Sequence, residues 1–460
     1  MIDFVKIERI EQEKRNSVER IGDFKEIYEV FDKNDTSSQA SRCIQCGDPF
    51  CHNKCPLHNY IPQWLRAIST LNKDLAFKLS NESNPYPEIT GRICPQDRLC
   101  EGDCTLNDGH GAITIGAIET FISEYGFKHG LKPEFPGITT KKSVAIIGAG
   151  PAGMACATYL LRAGIKVNMY DRQPKAGGLL TYGIPGFKLD KEIVLRRVRW
   201  LEEGGMSLHV GCEIGKDISF DDLASSHDAI FLGIGAERSR KAKITNENAK
   251  NCFLAIDFLR NTQQKLFKES YEPSMILKDK VVVVIGGGDT AMDCIRTSIR
   301  QGAKSVTCAY RRDKYNMPGS KKEFKNASEE GADFIYNVAP KEVIVNANHE
   351  VIGIEMQKTM LSFPDASGRA NVEIVKGSEF RIDADVIIFA LGFSPSRPDF
   401  LAENGIALNK KGAIDVDANY ETSKSGVYAG GDCKRGSDLV VVAAQEGKEA
   451  AKAIIKSLLM

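Results

Sequence analysis

The chain has 460 residues, 42% hydrophobic and 27% charged, an ordinary globular composition on a chain too long for one core, so about three domains are expected. Its 61 Lys plus Arg equal its 61 Asp plus Glu, which gives no argument for a nucleic-acid or anionic-membrane partner. No run approaches the ~20 apolar residues of a bilayer span, and Met1–Phe31, dense in Glu, Lys and Arg, lacks a signal-peptide core. The expected compartment is the cytoplasm, where thiols stay reduced.

In chain order, residues 1–35 read as a polar arm with a short helix or two. Residues 40–130 hold seven cysteines in two runs, Cys43-x2-Cys46-x4-Cys51-x3-Cys55-Pro56 and Cys94-Pro95-x4-Cys100-x3-Cys104. Between the runs, Asn59 is a candidate helix cap with Pro62 in the first turn, and Asn84–Pro87 with Thr90-Gly91 ends that helical region. Lys132–Gly137 reads as a linker. From Lys142 the pattern becomes an apolar strand to Ile147, a glycine turn, a helix over Ala152–Ala163 and a strand over Lys166–Tyr170. The same order returns as Lys280–Ile285, the turn Gly286–Asp289, a helix over Thr290–Gln301 and the strand Ser305–Tyr310. Two such units imply two doubly wound nucleotide-binding modules, hence an α/β fold class. Two further glycine turns follow, Ala390-Leu391-Gly392 and Gly430-Gly431-Asp432.

Thiolates at spacings of two to five residues suit iron–sulfur clusters. Zinc is the main alternative, although only Cys43 and Cys46 have its CxxC spacing. Seven thiolates complete two four-ligand sites if one other residue contributes. The remaining six cysteines (156, 212, 252, 294, 308 and 433) are scattered singly and read as small buried hydrophobes.

Gly148-x-Gly150-x-x-Gly153 follows a strand and opens a helix, the context in which backbone amides cradle a pyrophosphate. Asp171 ends the next strand, placed to accept hydrogen bonds from a ribose diol. Gly177-Gly178-Leu179-Leu180 and Gly430-Gly431-Asp432 point to a flavin dinucleotide rather than NAD. The second unit has Tyr310-Arg311-Arg312 where the first has Asp171, and guanidinium groups there suit a 2′-phosphate, hence NADPH. Two solvated arginines after a strand are the plain alternative. No close cysteine pair follows Cys104, so electrons leaving a flavin have the amino-terminal thiolate sites as their sink.

The runs Cys43–Cys51, Lys54–Pro62 and Gly91–Gly102 resemble the small (beta) subunit family of NADPH-dependent glutamate synthases. So do Gly287–Cys294, Tyr310–Asp313 with Met317-Pro318-Gly319, and Gly430–Asp432 with Arg435–Val441, in order over nearly the whole chain. The resemblance implies a helical domain with two 4Fe-4S clusters (1–140), an FAD domain in two segments (141–250 and 385–460) and an NADPH domain (251–384) between them. It implies one cluster on Cys43, Cys46, Cys51 and Cys104, and another on Cys55, Cys94, Cys100 and Glu119. FAD then falls to Gly148, Gly150, Pro151, Ala152, Gly153, Asp171, Arg172, Gly178, Leu179, Gly431, Asp432, Asp438, Leu439 and Val440. NADPH falls to Gly287, Gly288, Asp289, Thr290, Arg311, Arg312, Ala390, Leu391 and Gly392. Departures are few: Gly233–Ala236 stands where relatives have an alanine–threonine–glycine turn, and Asp171 replaces the commoner glutamate.

The implied activity is hydride transfer from NADPH to FAD, then single electrons through the clusters to a large subunit. That partner makes L-glutamate from L-glutamine and 2-oxoglutarate, and no side chain here acts as nucleophile or general base. Ile2 follows Met1, so an amino-terminal cysteine nucleophile is absent. A related NADPH-dependent module serving another acceptor, such as a ferredoxin or a sulfur-reducing partner, is the alternative.

Overall fold

Short helices with polar caps or proline starts build the first 130 residues of the computed structural model, which describes residues 3–364 and 370–460. Asp32 caps Lys33–Ser41 by accepting the N–H groups of Asn34 and Asp35, and Asn72 caps Lys73–Ser83. Pro62 lies in the first turn of Ile61–Ser69, but the cap is Tyr60 and not Asn59. The Asn59 side chain turns inward instead, donating to Glu119 at 2.7 Å and accepting from Ser83 at 2.9 Å. A buried carboxyl needs donors more than a helix start needs a cap, since water can serve the latter. Trp64, Ile68, Phe77, Ile118 and Ile122 form the core these helices share.

Two parallel five-stranded sheets follow. The first runs Val427–Ala429, Ala229–Leu232, Ser143–Ile147, Lys166–Asp171, Met206–Val210. The second runs Cys252–Leu254, Val386–Phe389, Val281–Ile285, Ser305–Tyr310, Asp333–Tyr336. Their central strands read Ser-Val-Ala-Ile-Ile and Val-Val-Val-Val-Ile, apolar without alternation because both faces are covered. Val427–Ala429 returns from the far end of the chain, so the second sheet interrupts the first domain. Because Val386–Phe389 belongs to the second sheet, the chain crosses back only after residue 389 and not at 385. The crossings pair briefly as a ribbon, Arg238–Ser239 against Phe393–Ser394. An antiparallel sheet of Val338–Val345, Val351–Pro364, Ala370–Ile374 and Phe380–Ile382 fills a stretch the sequence reading left without elements. No helix among the described residues is long and apolar enough to cross a membrane.

The helical domain is fastened to the first sheet's helices by buried charge. Arg197, on the helix Lys191–Glu203, donates through Nε and a terminal nitrogen to both oxygens of Glu88, each at 2.6 Å, and neither side chain reaches solvent appreciably. Beside them the Tyr86 hydroxyl donates to the carbonyl of Pro151 at 3.1 Å, tying the helical domain to the start of the glycine-turn helix. Removing one partner of a buried pair strands the other, at a cost of about 3–5 kcal/mol. Arg197→Ala is therefore expected to lower the thermal unfolding midpoint by several degrees, followed by circular dichroism, and an unchanged midpoint would contradict the pair's role.

Candidate dinucleotide cavity and thiol sites

The two glycine turns open into one cavity of about 1000 Å³. At the first, Gly148 sits at φ +103°, where a Cβ would also collide with the Gly233 carbonyl. Gly150 caps the helix Pro151–Arg162, whose first turn leaves free amides facing the cavity. Asp171 folds onto the turn: its oxygens accept the N–H groups of Ala149 and Gln173, both at 2.8 Å. Burial raises its pKa, which those amides partly offset. It lines the cavity with Arg172, which pairs with Glu237 at 2.5 Å.

Gly148, Gly150, Pro151, Ala152, Gly178, Leu179, Asp432, Asp438, Leu439 and Val440 line the same space. Gly153 and Gly431 lie behind its wall: Gly153 backs against the Gly148 carbonyl, and the Gly431 N–H donates to Glu446 at 2.7 Å. Glu446 is fully buried and also accepts from Lys434 at 3.1 Å and from Arg435. Sequence reasoning missed it, because Gln445-Glu446-Gly447-Lys448-Glu449 reads as a polar turn of helix between Val440–Ala444 and Ala450-Ala451. Burial pushes the Asp432 carboxyl up to about 7, with Asp438 and Glu446 adding to the rise.

At the second turn, Gly288 caps the helix Asp289–Arg300, and a Cβ at Gly287 would strike the Tyr310 ring. Gly288, Asp289, Thr290 and Gly392 line the cavity. Asp289 accepts the Ser320 N–H at 2.9 Å and a terminal N–H of Arg98 at 3.4 Å, so the helical domain reaches this rim as well. Ala390 and Leu391 stay behind it, Ala390 donating its N–H to Ile285 at 2.8 Å and Leu391 packing among apolar neighbours. Arg311, exposed, and Arg312, half-buried, stand outside the cavity lining, beyond the strand Ser305–Tyr310.

The thiols of the helical domain lie in two places. Cys43, Cys46, Cys51 and Cys104 line one small cavity, with the exposed Ile44 and Phe50 at its rim. Burial pushes the Cys51 thiol up to about 12, with negative charge on Cys104, Cys43 and Cys46 contributing to the rise. Cys55, Cys94, Cys100 and Glu119 form the second group. Burial raises all three thiols, Cys94 and Cys100 far above the usual range, and Glu119 lies close enough to each for its charge to add to the rise. Burial likewise holds Glu119 up at about 7, against hydrogen bonds from Thr90, Asn59 and Asn84. These bonds leave its second oxygen, which takes only Thr90 at 3.2 Å, a further lone pair. Among the described residues, no three of these side chains converge as closely as one metal ion requires. Four-thiolate zinc would draw its sulfurs to within ~3.8 Å of one another, given bonds of ~2.3 Å. Cys94 also lines the dinucleotide cavity, and Cys55 packs against both the helical core and the first sheet's core, so the second group lies between the cavity and the first.

Residues 20–131, which contain all eight of these groups, match the family described as dihydropyrimidine dehydrogenase domain II, 4Fe-4S cluster. Residues 142–447 match the pyridine nucleotide–disulphide oxidoreductase family. The chain is 48% identical to the glutamate synthase [NADPH] small chain of Escherichia coli, over 99% of this chain and 98% of that one. The chain belongs to the glutamate synthase small-chain family. The small chain of Azospirillum brasilense is 42% identical over 99% of this chain and 95% of its own. AegA of Escherichia coli, named as an oxidoreductase, is 49% identical over 94% of this chain but only 67% of its own length. The fold is also that of FprA from Mycobacterium tuberculosis, solved with NADPH, at TM-score 0.58 and 18% identity over 69% of this chain and 85% of that one. This small-chain family member is thus an oxidoreductase with a 4Fe-4S domain and a pyridine-nucleotide domain.

Asp171→Ala would release the Ala149 and Gln173 amides and loosen the first turn. Losing these charge-assisted bonds is expected to weaken dinucleotide binding there on the order of 10–100-fold. Flavin retained per chain after gel filtration measures this, and retention equal to the parent's would remove Asp171 from the site.

Proposed function

We propose that this chain is the NADPH-oxidising, electron-input subunit of a glutamate synthase, with FAD at the first glycine turn and NADPH at the second. The supporting observation is the shared cavity: both turns and Cys94 line one continuous space. Bound there, FAD would supply hydride acceptance from NADPH and single-electron release, which nicotinamide cannot, and two 4Fe-4S clusters would supply one-electron conduction.

The residues do the holding. Gly148, Gly150, Pro151, Ala152 and Gly153 present helix N-terminal amides to the FAD pyrophosphate, and Asp171 keeps Ala149 aimed while facing the adenosine ribose. Asp432, close to half-protonated at neutrality, can donate a proton as well as accept one toward the flavin's sugar chain. Gly178, Leu179, Asp438, Leu439 and Val440 close the far side, and Gly431 is anchored by Glu446. Gly287, Gly288, Asp289 and Thr290 receive the NADPH phosphates, with Ala390, Leu391 and Gly392 behind the nicotinamide. Arg311 and Arg312, which follow the second strand of this unit, would hold the 2′-phosphate of the coenzyme.

Cys43, Cys46, Cys51 and Cys104 hold one cluster, and Cys55, Cys94, Cys100 and Glu119 the other. Thiols kept protonated by burial release their protons readily only to a metal, and closely spaced cysteine thiolates are the ligands an iron–sulfur cluster takes. The large partner subunit supplies glutamine hydrolysis and synthesis of L-glutamate from 2-oxoglutarate. A module serving another acceptor is the second reading, favoured by AegA, in which a similar sequence fills two thirds of a longer protein.

The isolated chain with NADPH should reduce an artificial one-electron acceptor yet form no glutamate until a large subunit is added. Glutamate formation by the isolated chain would overturn the division of labour, and no gain on adding the large subunit would favour the second reading. Replacing Arg311 and Arg312 by alanine should raise KM for NADPH on the order of 10–100-fold and for NADH less than about 3-fold. Equal rises for both coenzymes would remove the 2′-phosphate role.

A further inference from the structure

The coenzyme domain hangs on two chain crossings that pair over only two residues each, Arg238–Ser239 with Phe393–Ser394. A ribbon that short does not fix an angle between two sheets, so contacts elsewhere must do so. They converge on Glu330, just after the helix Lys321–Glu329, whose side chain is fully buried. Arg296 donates to it at 2.9 and 3.0 Å and Arg300 at 2.6 and 3.1 Å, both from the helix Asp289–Arg300 that starts at the second glycine turn. The third guanidinium comes from outside the domain: Arg20, in the amino-terminal arm, donates to Glu330 at 2.9 Å and to Glu329 at 3.0 Å. Its side chain is 2% exposed.

The first domain grips the same helix. Phe187 lies under the guanidinium groups of Arg296 and Arg300, at 4.3 and 4.1 Å from its ring centre. Its neighbour Lys188 donates to Asp293 at 2.9 Å inside the shared cavity. The arm closes the joint from the other side, since the Ile27 N–H donates to the Phe187 carbonyl at 3.2 Å. Helical, flavin and coenzyme segments thus meet at one buried ion cluster, on the helix whose first turn carries Gly288 and Asp289.

We propose that Arg20 is a positioning residue for hydride transfer: through Glu330 it holds the coenzyme helix in the orientation that makes the two glycine turns face one cavity. The inference rests on the reading of the second turn as the NADPH site. Arg20 does not line the shared cavity, and the residues assigned to NADPH all lie outside its contacts. Its loss is therefore felt in the rate of hydride transfer and in domain mobility, not in coenzyme affinity.

The test uses the flavin- and cluster-loaded chain with Arg20→Ala, Arg20→Lys and the milder pair Lys14→Ala with Tyr28→Phe, which removes the arm's neighbouring contacts to Glu329 and Asn326. Stopped-flow bleaching of the flavin by NADPH is expected to slow at least tenfold in Arg20→Ala, while the dissociation constant for NADP+ stays within twofold of the parent. Arg20→Lys, which keeps a charge on Glu330, should restore most of the rate. Hydrogen–deuterium exchange should rise in residues 321–330 and in the crossings near 238 and 393, a readout independent of turnover. A folded Arg20→Ala chain with parent bleaching and parent exchange would overturn the proposal. If that variant does not fold, Arg20→Gln, which keeps a polar side chain but removes the charge on Glu330, decides, with slower bleaching and faster exchange for the proposal and parent values against it; the double variant spares the Arg20–Glu330 contact and should stay closer to the parent than either. Should the parent itself not bleach with NADPH, the NADPH reading fails, and exchange alone then decides whether Arg20 fixes the domain.

Discussion

Buried sulfur is the constraint on which the rest of this molecule depends. Seven half-buried thiols and one buried carboxyl are packed into a domain whose α-helices run from 4 to 14 residues. Helices shorter than about 12–15 residues are marginal alone, and five of those thiols belong to the same apolar cluster as Trp64 and Phe77. Uncharged, they are mediocre core; ionised, they repel one another in a medium that penalises each charge. Iron bound there would resolve the conflict by taking the charge, so the ligands proposed as a conducting path would also be the staples of the helical domain. A path and a scaffold built from the same bonds would be lost together.

The two dinucleotide modules show how one backbone design is set to different tasks by few side chains. Each has a parallel sheet, an apolar central strand, a glycine turn and a helix opening on one cavity. The ends of their second strands differ. The first folds a carboxylate back onto its own turn, holding two amides in place. The second follows its strand with two guanidinium-bearing residues, Arg311 and Arg312, a change of charge that suits a phosphate better than a hydroxyl.

What the sequence disclosed followed from periodicity and spacing. The glycine turns, with their strands and helices within a residue or two, are local or motif-bound features, and local features survive translation into coordinates. The misses have a common cause: they are side chains that act across elements far apart in the chain. Asn59 looked like a helix cap because caps are local, yet it serves a carboxyl sixty residues on. Arg20 and Glu330 are 310 residues apart, and nothing near either names the other. Glu446 reads as part of a polar turn of helix, but its partners lie a turn of chain away at the Gly430-Gly431-Asp432 bend. The antiparallel strands from Val338 to Ile382 alternate too irregularly, with register shifts near Pro340, Ile344 and Leu361, to announce themselves.

The central claim, that both thiol groups hold iron, is tested most directly by counting iron, acid-labile sulfide and flavin in chain purified without oxygen. The account predicts about eight irons and eight sulfides per chain, four of each per cluster, with about one flavin. Zinc in their place, or a chain with its flavin but no iron, would contradict it.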